Sequence, residues 1–109
     1  MSFTLIKTAP LSPNTAEDLE FKMEIGVVLF YYLYATGVSS TDKTRIGTLR
    51  KAMGTRNLSM SFIPTEDIPL GVTTPSPDVV TYWDIDRGEW RSCRRDRIVF
   101  VGDEIAIEE

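Results

Sequence analysis

Arginines and aromatic residues recur together in this chain, and phosphate contact with base stacking is the chemistry that combination serves best. Guanidinium groups fork onto phosphates and lie flat on bases, and aromatic rings stack on bases too. The densest run is Tyr82 to Arg97, YWDIDRGEWRSCRRDR. It reads as a β-hairpin with a tryptophan in each arm and a tight turn at Asp86-Arg87-Gly88. In the second arm a period of two puts Arg91 and Cys93 on one face, and Trp90, Ser92 and Arg94 on the other. Arg50 and Arg56 belong to a second basic stretch, since residues 43 to 56 hold five Lys/Arg and no acid. Arg50, Arg56, Arg91 and Arg94, with Tyr82 or Trp90 to stack, form the candidate contact set for nucleic acid or a nucleotide-like phosphate. The plainer alternative is a solvated hairpin face whose arginines pair with Asp84, Asp86, Glu89 and Asp96. Such exposed pairs contribute about 0–1 kcal/mol each.

Three smaller constellations have the same double reading. Thr55-Arg56-Asn57 follows Gly54, where a loop's amides could cradle a phosphate or the side chains could simply bond a turn. Asp84 and Asp86 stand at i and i+2, a spacing open to acid–base work or magnesium and equally to a solvated hairpin shoulder. Cys93 reads as a small core filler beside arginines. The chain has no histidine, which removes the commonest general base and metal ligand. Zinc would have to rely on carboxylates and one thiolate. The expectation is a protein without catalysis, metal or cofactor. Trp83 alternates with Val79 and Ile85 and reads as core. Trp90 reads as core or platform, which leaves Tyr82 as the better exposed aromatic.

Composition bounds the rest. A chain of 109 residues with 42% hydrophobic and 26% charged side chains suits one soluble domain. No apolar run approaches the ~18–20 residues of a membrane span, and the first residues lack a signal-peptide pattern. The one cysteine fits a reducing compartment, so a cytoplasmic protein is expected. A net charge of −4 argues against binding polyanions by overall field. Any such binding must use a local basic surface.

The elements that would position these residues follow from pattern. Residues 1 to 13 read as an N-terminal tail or edge segment. Asn14-Thr15 can cap a helix over 15–25 whose apolar stripe is Leu19 and Met23, with Ile25 and Phe21 beside them. VVLFYYLYAT (27–36) is a strand covered on both faces, its tyrosines 31, 32 and 34 packing or forming a patch for a partner protein. Residues 37–47 are loop, and 48–55 a strand with Leu49, Lys51 and Met53 on one face. A helical turn is expected at Thr65–Ile68, then strands at 79–86, 89–94 and 97–101. The last residues, 103–109, read as an acidic tail. Five strands and one helix in a single domain over 14–102 predict a mostly β fold, a small partly open barrel of SH3-like or OB-like type, with a twisted sheet packed on a helix as the other possibility.

GTLRKAMGTRNL (47–58), FIP (62–64) and VTYWDIDRGEWRSCRRDRI (80–98) resemble a family of small uncharacterised phage and mobile-element proteins, an Sm-like SH3 β-barrel family related to the WYL domain. The resemblance covers about residues 27 to 101, and the final hairpin is its most specific part. Cys93 departs from it, standing where the family pattern has phenylalanine, and the turn near 37–47 is longer. The resemblance implies the fold and little activity, since function resides in sites rather than folds. The leading expectation is a non-enzymatic phage-type accessory module for a nucleic acid or nucleotide ligand. The rival is a protein–protein module that occupies a host factor, or a structural adaptor. Self-association through open barrel edges is compatible with both.

Overall fold

Asn14 starts the helix. The computed structural model describes residues 2–34 and 48–109, and in it the Asn14 Oδ1 accepts from the amides of Ala16 (2.9 Å) and Glu17 (3.3 Å). Helix α1 runs from Thr15 to Ile25, with Glu17 and Asp18 in its first turn, where acids suit the dipole. Its buried stripe is Ala16, Leu19 and Met23, together with Asp18 and Lys22. The lysine amine lies 3.0 Å from Asp18 and donates to the Gly102 carbonyl at 3.0 Å, so the two charges are satisfied without water. Phe21 and Ile25, expected beside the stripe, point outward instead.

Among the described residues, six strands form one antiparallel sheet: β1 (Phe3–Lys7), β2 (Val27–Tyr34), β3 (Thr48–Thr55), β4 (Val79–Asp84), β5 (Glu89–Arg94) and β6 (Ile98–Glu108). Their spatial order is β1-β6-β2-β3-β4-β5. The mostly β architecture with an N-terminal helix is as expected, but the described residues hold six strands rather than five. Residues 3–7 are an edge strand, with Phe3 opposite Glu108 and Lys7 opposite Glu104. The acidic end likewise continues β6, because Ile105 and Ile107 pack on the helix-covered face while Ala106 between them lies on the other. The ladder to β6 holds β1, whose own side chains are all exposed, so no burial pattern marked it in the sequence. The short helical turn α2 falls at Leu70–Thr73 rather than at Thr65–Ile68.

Each face of the sheet is covered in part. On one, α1 packs over Val28, Phe30, Ala52, Val80, Tyr82 and Ile105. On the other, Met60 and Ile63 from the segment after β3 pack with Val27, Met53, Trp83 and Trp90. The β4–β5 turn closes where the sequence places it. The Asp84 carboxylate accepts from the Arg87 amide (3.0 Å), the Gly88 amide donates to the Asp84 carbonyl (2.8 Å), and Gly88 takes φ +63°, a region glycine enters without strain.

Candidate nucleic-acid interface

Strand β5 is an outer strand of the sheet and carries the hairpin's arginines. Two depressions lie along it. The larger, about 690 Å³, is a groove between β5 and the proline-rich loop that carries α2. Its walls include Leu70, Pro75 and Pro77 on the loop side and Trp90, Arg91 and Ser92 on the strand side. The smaller, about 190 Å³, lies further along β5, among Tyr32, Tyr34, Cys93, Arg94 and Arg97. Ser92 lines both, so the two depressions adjoin. Arg50 does not line the second but holds one of its rings, its guanidinium carbon 4.0 Å from the centre of the Tyr34 ring, a cation–π contact.

The sequence-derived residues divide on this geometry. Arg91 and Arg94 do sit on the β5 edge, but on opposite faces, as period two requires. Arg91 is half-buried and donates to Glu89 at 2.9 Å. Arg94 is exposed and makes a two-pronged pair with Asp96, both bonds at 3.1 Å. That pair holds the Asp96 carboxyl below the usual carboxylate range. Both arginines thus have carboxylate neighbours, the arrangement of the plainer reading. The Arg94 pair is exposed on both sides and contributes little, so a phosphate can displace it. Trp90 meets Trp83 edge-on, centroids 5.4 Å apart. It is partly buried and lines the larger groove, combining the two roles the sequence left open.

Two expectations are overturned. Arg56 is 5% exposed. Its guanidinium donates to the carbonyls of Thr81 (2.7 Å), Val72 (3.0 Å) and Gly71 (3.4 Å), and its Nε donates to Glu24 (3.1 Å). It therefore fastens α2 to the sheet and holds the groove's wall without facing a ligand. Tyr82 is fully buried, with its ring against Gly54 and edge-on to Phe30 at 5.0 Å. Burial, reinforced by Tyr32, Cys93 and Asp84, pushes its hydroxyl pKa up. The exposed-aromatic assignment failed because α1 covers the face opposite Trp83.

The remaining constellations take their structural readings. The Thr55 hydroxyl accepts from the Asn57 amide (3.1 Å), and the Asn57 carboxamide oxygen accepts from the Ser59 amide (3.0 Å), which is a self-bonded turn. Asp84 is buried in its turn while Asp86 is exposed, so the two do not converge. Burial pushes the Cys93 thiol up to about 12, the nearby Arg95 opposing and Glu20 adding to it. Tyr32, Tyr34, Arg97 and the 69–77 loop are not in the contact set expected for nucleic acid. Their only signal was the neighbourhood of tyrosines and arginines at the two strand ends, which pairing brings together.

The described residues form a six-stranded antiparallel sheet with one main helix packed on it and a basic–aromatic outer strand, a small mostly β module. The family model described as WYL_2, Sm-like SH3 beta-barrel fold, matches residues 16–99, and the chain belongs to that family. The match takes in α1 through β5 and leaves out β1 and most of β6. No curated protein and no solved structure matches the chain. No helix among the described residues is long and apolar enough to cross a membrane.

Proposed function

We propose that this chain is a non-enzymatic binding module that takes single-stranded nucleic acid, or a nucleotide-like phosphate, along its β5 edge. The observation that supports this reading is the adjacency of the two depressions through Ser92. Each offers an aromatic ring and a guanidinium: Trp90 with Arg91 in the groove, and Tyr34 with Arg94 and Arg97 in the notch, where Arg50 lies against the Tyr34 ring. Bases stack on the rings and the forks neutralise phosphates, a combination tolerant of sequence. The proposal keeps Arg50, Arg91, Arg94 and Trp90 as contact residues and drops Arg56 and Tyr82.

The test is anisotropy of a labelled single-stranded oligonucleotide titrated with protein over a range of salt. Four phosphate contacts predict a log–log slope of about −3, an affinity about 50-fold lower at 200 mM than at 50 mM salt. The double variant Arg91→Glu/Arg94→Glu should fold and lose binding. Salt-independent binding, or unchanged affinity of the double variant, refutes the proposal. Failure with every oligonucleotide and nucleotide would turn the search to the rival protein–protein reading.

A further inference from the structure

The outer wall of the larger groove is the loop that carries α2, and burial does little to hold it. No residue of α2 is buried, and Leu70 is 75% exposed. Pro75 and Pro77 are exposed, and with Ser76 they stand between two hollows. One is the groove on the β5 side. The other, about 650 Å³, lies on the α1 side against Asn14, Glu17, Glu20 and Arg95. A wall with open space on both sides takes its position from polar contacts along its length.

Two arginines supply those contacts. Arg56 holds the first part of the loop through the carbonyls of Gly71 and Val72. Arg95 holds the far part, its Nε donating to the Ser76 carbonyl at 2.7 Å. Glu20 on α1 joins the two clasps. Its carboxylate accepts from both terminal nitrogens of Arg95, at 2.5 and 2.8 Å, and lies 4.0 Å from Arg56. A two-pronged pair of this kind fixes the plane of the guanidinium, and with it the direction in which Nε meets Ser76.

We propose that Glu20 is a positioning residue for the groove. It orients Arg95 and lies beside Arg56, and through these two it sets where the 69–77 loop stands relative to β5. The inference rests on the β5 edge being the binding site. Glu20 does not line the groove, so it acts through the loop.

Charge and positioning predict opposite effects on binding. By field alone, removing an acid near the site leaves the affinity for a polyanion unchanged or raises it. In the oligonucleotide titration Glu20→Ala should instead bind about tenfold more weakly, with the salt slope of the wild type because no phosphate contact is lost. Glu20→Gln removes the same charge but keeps an acceptor for Arg95, so its affinity should fall between the two. Hydrogen exchange read by NMR follows the wall without a ligand. The amides of Val72 and Thr74, which donate to Pro69 and Leu70, should exchange about tenfold faster in Glu20→Ala, while the β2–β6 ladder keeps its protection. Binding as tight as the wild type or tighter, equal losses in the two variants, or unchanged exchange at Val72 and Thr74 would each overturn the inference. A wild type that binds no oligonucleotide, with exchange still faster in Glu20→Ala, refutes the β5 reading and upholds the hold of Glu20 on the wall.

Discussion

Arg56 offers the sharpest test of the distinction between holding a site and contacting a ligand. Replacing it with alanine removes a buried cation and strands its acceptors. The Thr81 carbonyl is lost as a partner inside the protein, and those of Val72 and Gly71 at the seam with α2. Glu24 is 60% exposed and loses little, while Glu20, 4.0 Å away and 20% exposed, keeps its two bonds to Arg95 at 2.5 and 2.8 Å. The cost is therefore concentrated in the carbonyls. Each buried acceptor left unpaired costs about 1–3 kcal/mol, and three carbonyls lose their donor together. Arg56→Ala should lower the free energy of unfolding by about 3–5 kcal/mol, a large part of the roughly 5–15 kcal/mol of a domain. Arg56→Lys should recover only part, since an ammonium cannot reach three carbonyls and a carboxylate in one plane. Urea denaturation followed by tryptophan fluorescence measures both. A variant with wild-type stability and lost oligonucleotide binding would refute the structural role and return Arg56 to the ligand set.

Gly54→Ala should destabilise by about 1–3 kcal/mol through overpacking. A Cβ there would lie 2.5 Å from the Tyr82 ring, so a lost near-ultraviolet dichroism signal should accompany the lower urea midpoint. Lys22→Met leaves Asp18, whose side chain is 6% exposed, with the Leu11 amide as its one remaining partner among the described residues. It should cost about 3–5 kcal/mol, much of it returned by adding Asp18→Asn, as a double-mutant cycle would read. Alkaline pH should destabilise the fold through Cys93. Its pKa rises from 9.0 to about 12 on folding, so above 9 the unfolded chain releases a proton that the folded chain keeps. Stability is full below pH 9 and falls by about 1.4 kcal/mol per pH unit as pH climbs towards 12. Tyr82 adds to this loss above its ordinary value of 10.0. Urea midpoints at pH 8, 9 and 10 should decline less in Cys93→Ala than in the wild type, and parallel declines would refute the assignment.

Local signals made much of the fold legible from the sequence. Asn14 as a cap and acids behind it marked the helix at its observed limits. Alternation over 48–55 and 89–94 marked β3 and β5, and Asp-Arg-Gly marked the hairpin turn. These features depend on hydrogen bonds and periods within a few residues, so the chain reveals them without its fold. β1 was not legible, because its stability comes from a ladder to residues about a hundred positions away. Nor was the fate of the charged and aromatic side chains. A tyrosine opposite a buried tryptophan is exposed on a sheet with one wet face, and Tyr82 is buried because α1 covers the second face. An arginine after a glycine looks available for phosphate, and Arg56 is sealed because α2 folds back to offer it three carbonyls. Conversely, Tyr34, Arg50 and Arg97 come together only because β2, β3 and the start of β6 end at the same side of the sheet. Residue type and spacing determined which chemistry the chain could do. Long-range packing determined which of those side chains remain at the surface to do it.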